Sequence, residues 1–198
     1  MGGLRAALMP LAFVNETVLR FGRAVGAAAV ALMVVAILIQ VFFRYVLNNA
    51  LPWPDEAARF CMLWMTGLMA PTAFRRGGFV AIEMIQTFLP RVAGQLLSLI
   101  LLCLSITVLI FAVQIGYKEV TGFGGKFATA SLYIPTSIGF DEWMRVPRSW
   151  MMLSLLVGVI LLISVNVELI IRSVIGLLGG GDDLPEIPDS VVQGGGAE

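Results

Sequence analysis

Long uncharged apolar runs alternate with short polar connections along this chain. A transmembrane helix needs about 20 mainly apolar residues to cross a hydrocarbon core of ~30 Å. Runs of about this length predict four membrane spans, at residues 24–43, 54–74, 92–117 and 150–171. The pattern therefore predicts an all-α integral membrane protein.

The segments that flank the spans are amphipathic or polar and are not predicted to cross the membrane. Residues 1–23 carry apolar side chains at helical spacing and predict an amphipathic lead-in helix on the cytoplasmic membrane surface. A cleavable signal peptide is the alternative, but the apolar run continues unbroken past the small residues at 27–29, which favours an uncleaved first span. Residues 79–89 predict a second surface helix, and the Gly-rich acidic tail 179–198 predicts disorder. Residues 24–178 then form a single membrane domain.

An even number of spans places both termini on one side of the membrane. Lysine and arginine are almost evenly divided between the two sides, so local signals decide the orientation. The arginines before the first span, and Arg75 and Arg76 at the end of the second, favour cytoplasmic termini. We interpret Arg75 and Arg76 as orientation signals and lipid-phosphate contacts, with a partner site as the alternative.

Composition excludes several classes of function. The chain is 59% hydrophobic and 13% charged, with a mean hydropathy of +0.92, whereas soluble domains are ~45–50% apolar and ~25% charged. Zero net charge gives no electrostatic basis for binding nucleic acid, and histidine, the commonest general base, is absent. Cys61 and Cys103 lie inside apolar runs, as small apolar fillers do. Without a P-loop or dinucleotide fingerprint, the sequence predicts no enzyme, cofactor or metal site.

The connection from the first span into the second carries the densest group of charges. Asp55 and Glu56 lie in the first turn of the predicted helix, where the helix dipole favours negative charge, and Arg59 shares their face. These residues and Arg44 predict an ion-pair cluster near the periplasmic face, with ordinary interfacial charges as the alternative. The predicted partner interface comprises Arg44, Trp53, Asp55, Glu56, Arg59 and Trp64. For Trp53, an interfacial aromatic belt is the simpler interpretation.

A self-contained transporter needs polar groups near the membrane midplane. The candidates here are few. Glu168 lies near the end of the fourth span, where snorkelling or pairing with Arg172 is favoured over a proton or substrate site. Gly67 and Pro71 provide only a weak helix break.

Two runs of residues resemble a known family. Residues 44–60 read RYVLNNALPWPDEAARF, and residues 73–83 read AFRRGGFVAIE. Together with Trp64 and Gly67 between them, they resemble the small transmembrane (DctQ-type) subunit of tripartite ATP-independent periplasmic (TRAP) transporters. The specific match covers about residues 44–90; elsewhere it is one of length, spacing and hydropathy.

The resemblance implies a multi-pass subunit of the bacterial inner membrane with cytoplasmic termini. Its implied partners are a large many-span permease (DctM type), a periplasmic solute-binding protein and membrane lipids. The implied function is to support that large, elevator-type subunit during sodium-coupled uptake of organic acids, such as a C4-dicarboxylate or a sialic acid. The substrate itself would be bound by another chain.

Three departures from the family pattern stand out. Phe79 replaces a common histidine, Pro54 and Asp55 replace a Thr-Glu pair, and the connection 118–149 is long. Two other hypotheses stay open: a stand-alone homodimeric transporter, and a membrane assembly or quinone-handling protein.

Overall fold

The computed structural model of the chain describes residues 2–77, 90–135 and 143–178, and at residues 2–7, 91 and 135 only the backbone. The elements are α1 Gly2–Tyr45, α2 Trp53–Arg75, α3 Arg91–Thr121, a short 3₁₀ helix Phe123–Lys126, β1 Ala128–Pro135, β2 Trp143–Pro147 and α4 Ser149–Leu177. The predicted surface helix 79–89, with Phe79, and the predicted disordered tail 179–198 lie outside the described residues.

Three of the described helices are long and apolar enough to cross a membrane: Leu8–Tyr45, Val92–Thr121 and Ser149–Leu177. This mostly helical structure fits the predicted all-α membrane protein. Helix α2 matches the predicted second span closely in extent, but it is not one of the three. Its charged first turns and Pro71 lower its hydropathy below that of the other helices. The fourth span and the cytoplasmic termini therefore remain predictions.

Helix α1 joins the predicted lead-in 1–23 and the predicted first span 24–43 into one helix of 44 residues. At 1.5 Å per residue its length is about 66 Å, which exceeds a hydrocarbon core of ~30 Å. The chain then reverses before α2, and Asn48 takes a φ of 50° in this turn. Asn tolerates this left-handed region better than most residues with a side chain.

Helix α4 organises the packing, because it contacts α1, α2 and α3. Helix α2 in turn packs between α1 and α4. A Cβ atom on Gly158 of α4 would lie 2.7 Å from the carbonyl oxygen and 2.8 Å from the Cα atom of Gly67 in α2. The two glycines therefore allow the backbones of α2 and α4 to touch, as small residues do between membrane helices.

The long connection between α3 and α4 contains an antiparallel hairpin of β1 and β2, which the sequence pattern did not predict. The Thr129 hydroxyl donates a 2.8 Å hydrogen bond to the carbonyl oxygen of Val146, and both residues are buried. This hairpin is a small addition to a mainly helical structure, at the end of the bundle where α2 begins.

Candidate functional site: a buried charge cluster and an anchored hairpin

A group of charged and polar side chains joins α1, α2 and α4 at the end of α2. We call it the charge cluster, and its members are Asn15, Glu16, Arg75, Ser164, Glu168 and Arg172. Helix α1 supplies the first two, α2 supplies Arg75, and α4 supplies the last three. Three helices that are distant in sequence are thus held together by polar contacts.

The centre of the charge cluster is the pair of Arg75 and Glu168. Glu168 is 0% exposed and Arg75 is 5% exposed. The guanidinium donates from Nη2 to Oε1 of Glu168 at 2.9 Å and from Nε to Oε2 at 3.1 Å. Oε2 also accepts a 2.8 Å hydrogen bond from the Asn15 amide. Such a bidentate arrangement is the strongest form of arginine–carboxylate pairing.

The remaining donors and charges of the cluster are also used. Arg75 donates from Nη1 to Glu16, and Arg172 lies 3.0 Å from Oε1 of Glu168. The Ser164 hydroxyl donates a 2.6 Å hydrogen bond to the side-chain oxygen of Asn15. Arg23 and Arg20 also lie 3.6 Å and 3.8 Å from Oε1 of Glu16, so both carboxylates of the cluster have more than one arginine beside them. Because a buried charge is costly unless it is paired, Arg75 and Glu168 each need the other inside the bundle.

These contacts change the interpretation of Arg75. We predicted a lipid-phosphate contact, but the side chain is buried and bound to two carboxylates. The predicted pairing of Glu168 with Arg172 is present, but Glu168 does not snorkel to the surface, because Arg75 neutralises it inside the bundle. The neighbouring Arg76 is half-buried and makes contacts of its own.

At the other end of α2, the predicted ion-pair cluster is not formed. Arg44, Asp55 and Arg59 are exposed, and among the described residues none of the three makes an ion pair. Arg44 and Asp55 line one surface pocket of about 190 Å³, and the Arg44 guanidinium lies 5.8 Å from the centre of the Tyr45 ring. Pairing between side chains that are exposed to water stabilises a protein little.

Glu56 binds the hairpin instead of an arginine. Its carboxylate accepts hydrogen bonds from the backbone N–H groups of Ala130 at 3.0 Å and Ser131 at 2.6 Å. The Ser131 hydroxyl lies 2.6 Å from the same carboxylate and 3.0 Å from the carbonyl oxygen of Pro52. Glu56 therefore anchors β1 to the first turn of α2.

The two predicted tryptophans occupy different surroundings. Trp53 is 40% exposed and lines a pocket beside the hairpin. Trp64 is half-buried and packs against Phe60 with the ring centres 6.3 Å apart. The buried Nε1 of Trp64 has no hydrogen-bond partner in the described part of the chain.

Helix α2 is thus held at both ends. Glu56 and Arg75 are separated by about 28 Å along the axis at ~1.5 Å per residue, close to the ~30 Å thickness of a hydrocarbon core.

Comparison with known families agrees with this membrane architecture. The family model described as "Tripartite ATP-independent periplasmic transporters, DctQ component" matches residues 33–176. The chain belongs to the DctQ family. This family supplies a membrane component of TRAP transporters and is not a family of enzymes. No curated protein and no solved structure gives a significant match to the chain.

The match spans both ends of α2 and most of the charge cluster, but Asn15 and Glu16 precede it. In the described segments of this DctQ protein, no three His, Cys, Asp or Glu residues are grouped so that they could hold a metal ion. The observed polar groups connect helices to one another and to the hairpin.

Proposed function

We propose that this DctQ protein is the small scaffold subunit of a sodium-coupled TRAP transporter that takes up organic acids, such as a C4-dicarboxylate or a sialic acid. The observation that carries the proposal is the family match over residues 33–176. The large DctM-type permease would hold the sodium and substrate sites, and a periplasmic solute-binding protein would deliver the substrate. The chain would lie in a bacterial inner membrane with four spans and cytoplasmic termini.

The placement of charge supports a scaffold role. The charged side chains of α2 and α4 lie toward the helix ends, at Asp55, Glu56 and Arg59 and again at Arg75, Glu168 and Arg172. A transport site of its own would be expected near the midplane, on broken helices. Charges at two depths, one set paired inside the bundle, instead resist vertical displacement while a neighbouring subunit moves.

The exposed charges at the start of α2 support a partner surface there. Asp55 and Arg59 have no ion-pair partner in the part of the chain that the structure describes. An arginine in the upper membrane is costly unless it is paired or snorkels to the surface. An acidic side chain of the large subunit would form an ion pair with Arg59. The solute-binding protein would approach the membrane from the same side.

Flux measurements in proteoliposomes test the proposal. The chain is reconstituted alone and together with the large permease and the solute-binding protein encoded by neighbouring genes, with radiolabelled succinate or sialic acid as the probe. We expect uptake driven by a sodium gradient only when all three proteins are present. Uptake by this chain alone would overturn the scaffold role and favour the stand-alone homodimeric transporter.

A further inference from the structure

An open pocket of about 620 Å³ lies between the hairpin and the start of α2. It is lined by Trp53, Ser131, Leu132, Tyr133 and Trp143, and its walls are mainly apolar. Pockets of ~300–1,000 Å³ with apolar and aromatic walls are typical binding sites for small molecules. Its size and lining therefore fit an apolar ligand or one apolar part of an amphiphile.

The walls of this pocket are fixed from two sides. Glu56 and the carbonyl oxygen of Pro52 hold Ser131, so β1 is tied to the helix that carries Trp53. On β2, Arg145 donates a 2.9 Å hydrogen bond from Nε to the Tyr133 hydroxyl. Its guanidinium carbon also lies 5.3 Å from the centre of the Tyr133 ring. A ligand binds more tightly to a pocket that is already formed, because few side chains have to be ordered on binding.

Arg145 places a positive charge beside the pocket, next to the lining residue Tyr133. The residue is exposed, and within the described residues its guanidinium contacts only Tyr133. The two Nη groups therefore remain able to donate hydrogen bonds to an anion. An apolar cavity with a guanidinium beside it is complementary to an amphiphile that has an apolar chain and an anionic head.

The pocket lies on a connection between two apolar helices, and a membrane around those helices would contain such amphiphiles. The hairpin connects the end of α3 to the start of α4, both of which are long and apolar enough to span a membrane. Trp and Tyr are enriched at membrane–water interfaces, so the pocket residues Trp53, Tyr133 and Trp143 have the side chains typical of that region. Phe123 and Phe127 on the same connection are 80% and 55% exposed, as expected for side chains that meet lipid rather than water.

We propose that this pocket binds one acyl chain of an anionic phospholipid from the surrounding bilayer, with the phosphate on Arg145. The proposal goes beyond the transport role and does not depend on it. The lipid fills the space between Trp53, Tyr133 and Trp143, and it holds the hairpin at a constant height on the membrane surface.

The experiment measures Trp143 fluorescence in the full chain in lipid nanodiscs. The signal of Trp143 is the difference between the unmodified protein and the Trp143→Phe variant. Nanodiscs contain either phosphatidylglycerol or phosphatidylcholine with brominated chains, in a background of unlabelled phosphatidylcholine. We expect half-quenching at an about fivefold lower fraction of brominated phosphatidylglycerol, because its head group has a net negative charge, whereas the choline cation of phosphatidylcholine offsets the phosphate charge beside Arg145.

Three variants distinguish a phosphate contact from other causes. Arg145→Gln should remove the preference for phosphatidylglycerol, and Arg145→Lys should keep most of it. Arg148→Gln is the matched control, an exposed arginine nearby, and should leave the preference unchanged.

Three results would overturn the proposal. The first is equal quenching by the two brominated lipids in the unmodified protein, which would indicate a general lipid shell. The second is quenching by aqueous iodide but by neither lipid, which would indicate a pocket that is open to water. The third is an equal loss of preference in Arg145→Lys and Arg145→Gln, which would indicate a changed hairpin conformation.

Discussion

At the scale of single residues, the environment of each charge decides its role. Arg75 and Arg76 are neighbours at the end of one helix, yet Arg75 is buried between two carboxylates and Arg76 is only half-buried. The same holds at the other end, where Glu56 binds the hairpin and the adjacent Asp55 is exposed. Neighbouring side chains of the same charge therefore have different surroundings and contacts in the folded chain.

The pairing of Arg75 with Glu168 can be measured. Glu168→Ala leaves the Arg75 charge buried without its main partner, and we expect a loss of about 3–5 kcal/mol in the free energy of unfolding. Thermal or SDS-induced unfolding of the purified protein in micelles measures this loss. The matched control is Glu119→Ala, which removes an exposed carboxylate and should change stability by less than about 0.5 kcal/mol.

A double-mutant cycle isolates the contact itself. Arg75→Ala combined with Glu168→Ala should cost less than the sum of the single changes, with a coupling of at least about 1 kcal/mol. Additive losses would show that the two side chains do not stabilise each other.

We predict that Arg59 contacts the large subunit and not another part of this chain. The residue is exposed and has no ion-pair partner in the described segments. Arg59→Ala should therefore leave the stability of the isolated chain unchanged but reduce co-purification of the large subunit and organic-acid uptake. Unchanged assembly and uptake in this variant would remove Arg59 from the proposed partner surface.

At the scale of secondary-structure elements, α2 is fixed not only by the charge cluster but also by a polar link to the hairpin and a glycine contact with α4. The polar link to the hairpin could not be predicted, because two short strands in a long connection do not give a clear hydrophobic pattern. The glycine contact depends on Gly158, which lies in an apolar run as many glycines of membrane helices do. The helices themselves, by contrast, follow closely from the apolar runs.

Removal of the Glu56 carboxylate should release the hairpin from α2. In Glu56→Gln, we expect hydrogen exchange of the Ala130 and Ser131 amides to become about 10- to 100-fold faster, since hydrogen bonds to charged groups contribute ~1.5–3 kcal/mol. Exchange measured by mass spectrometry on the purified chain gives this ratio. Asp55→Asn, at an exposed neighbouring site, should leave these amides unchanged; an equal effect of both substitutions would contradict the anchoring role.

The glycine contact between α2 and α4 should not tolerate a side chain. Gly158→Ala would place its Cβ atom 2.7 Å from the carbonyl oxygen of Gly67, so the helices must separate. We expect a loss of about 1–3 kcal/mol in unfolding stability, as for other overpacked sites. At Gly124 an added Cβ meets nothing within 4 Å, so Gly124→Ala is the control. Equal stability of the two variants would show that the contact is not tight.

At the scale of the whole molecule, the sequence predicted the membrane class and the DctQ family but not the charge cluster. Glu16, Arg75 and Glu168 are far apart in sequence, and each looks like an ordinary interfacial charge by itself. The sequence did contain one indication of this cluster, because antiparallel spans bring together opposite charges that lie at the same depth. The contacts of Asn15 and Ser164 could not be predicted in this way, because neutral polar residues occur throughout membrane helices. The contact of Glu56 with Ser131 depends on the hairpin, which the sequence pattern does not predict.

The composition of the purified assembly shows whether this chain works with a large permease or alone. The affinity-tagged chain is expressed with the large permease of the neighbouring gene, purified in mild detergent, and its mass is measured by native mass spectrometry. We expect a stable complex that contains this chain and the large permease. A homodimer of this chain that excludes the large permease would contradict the proposed scaffold role.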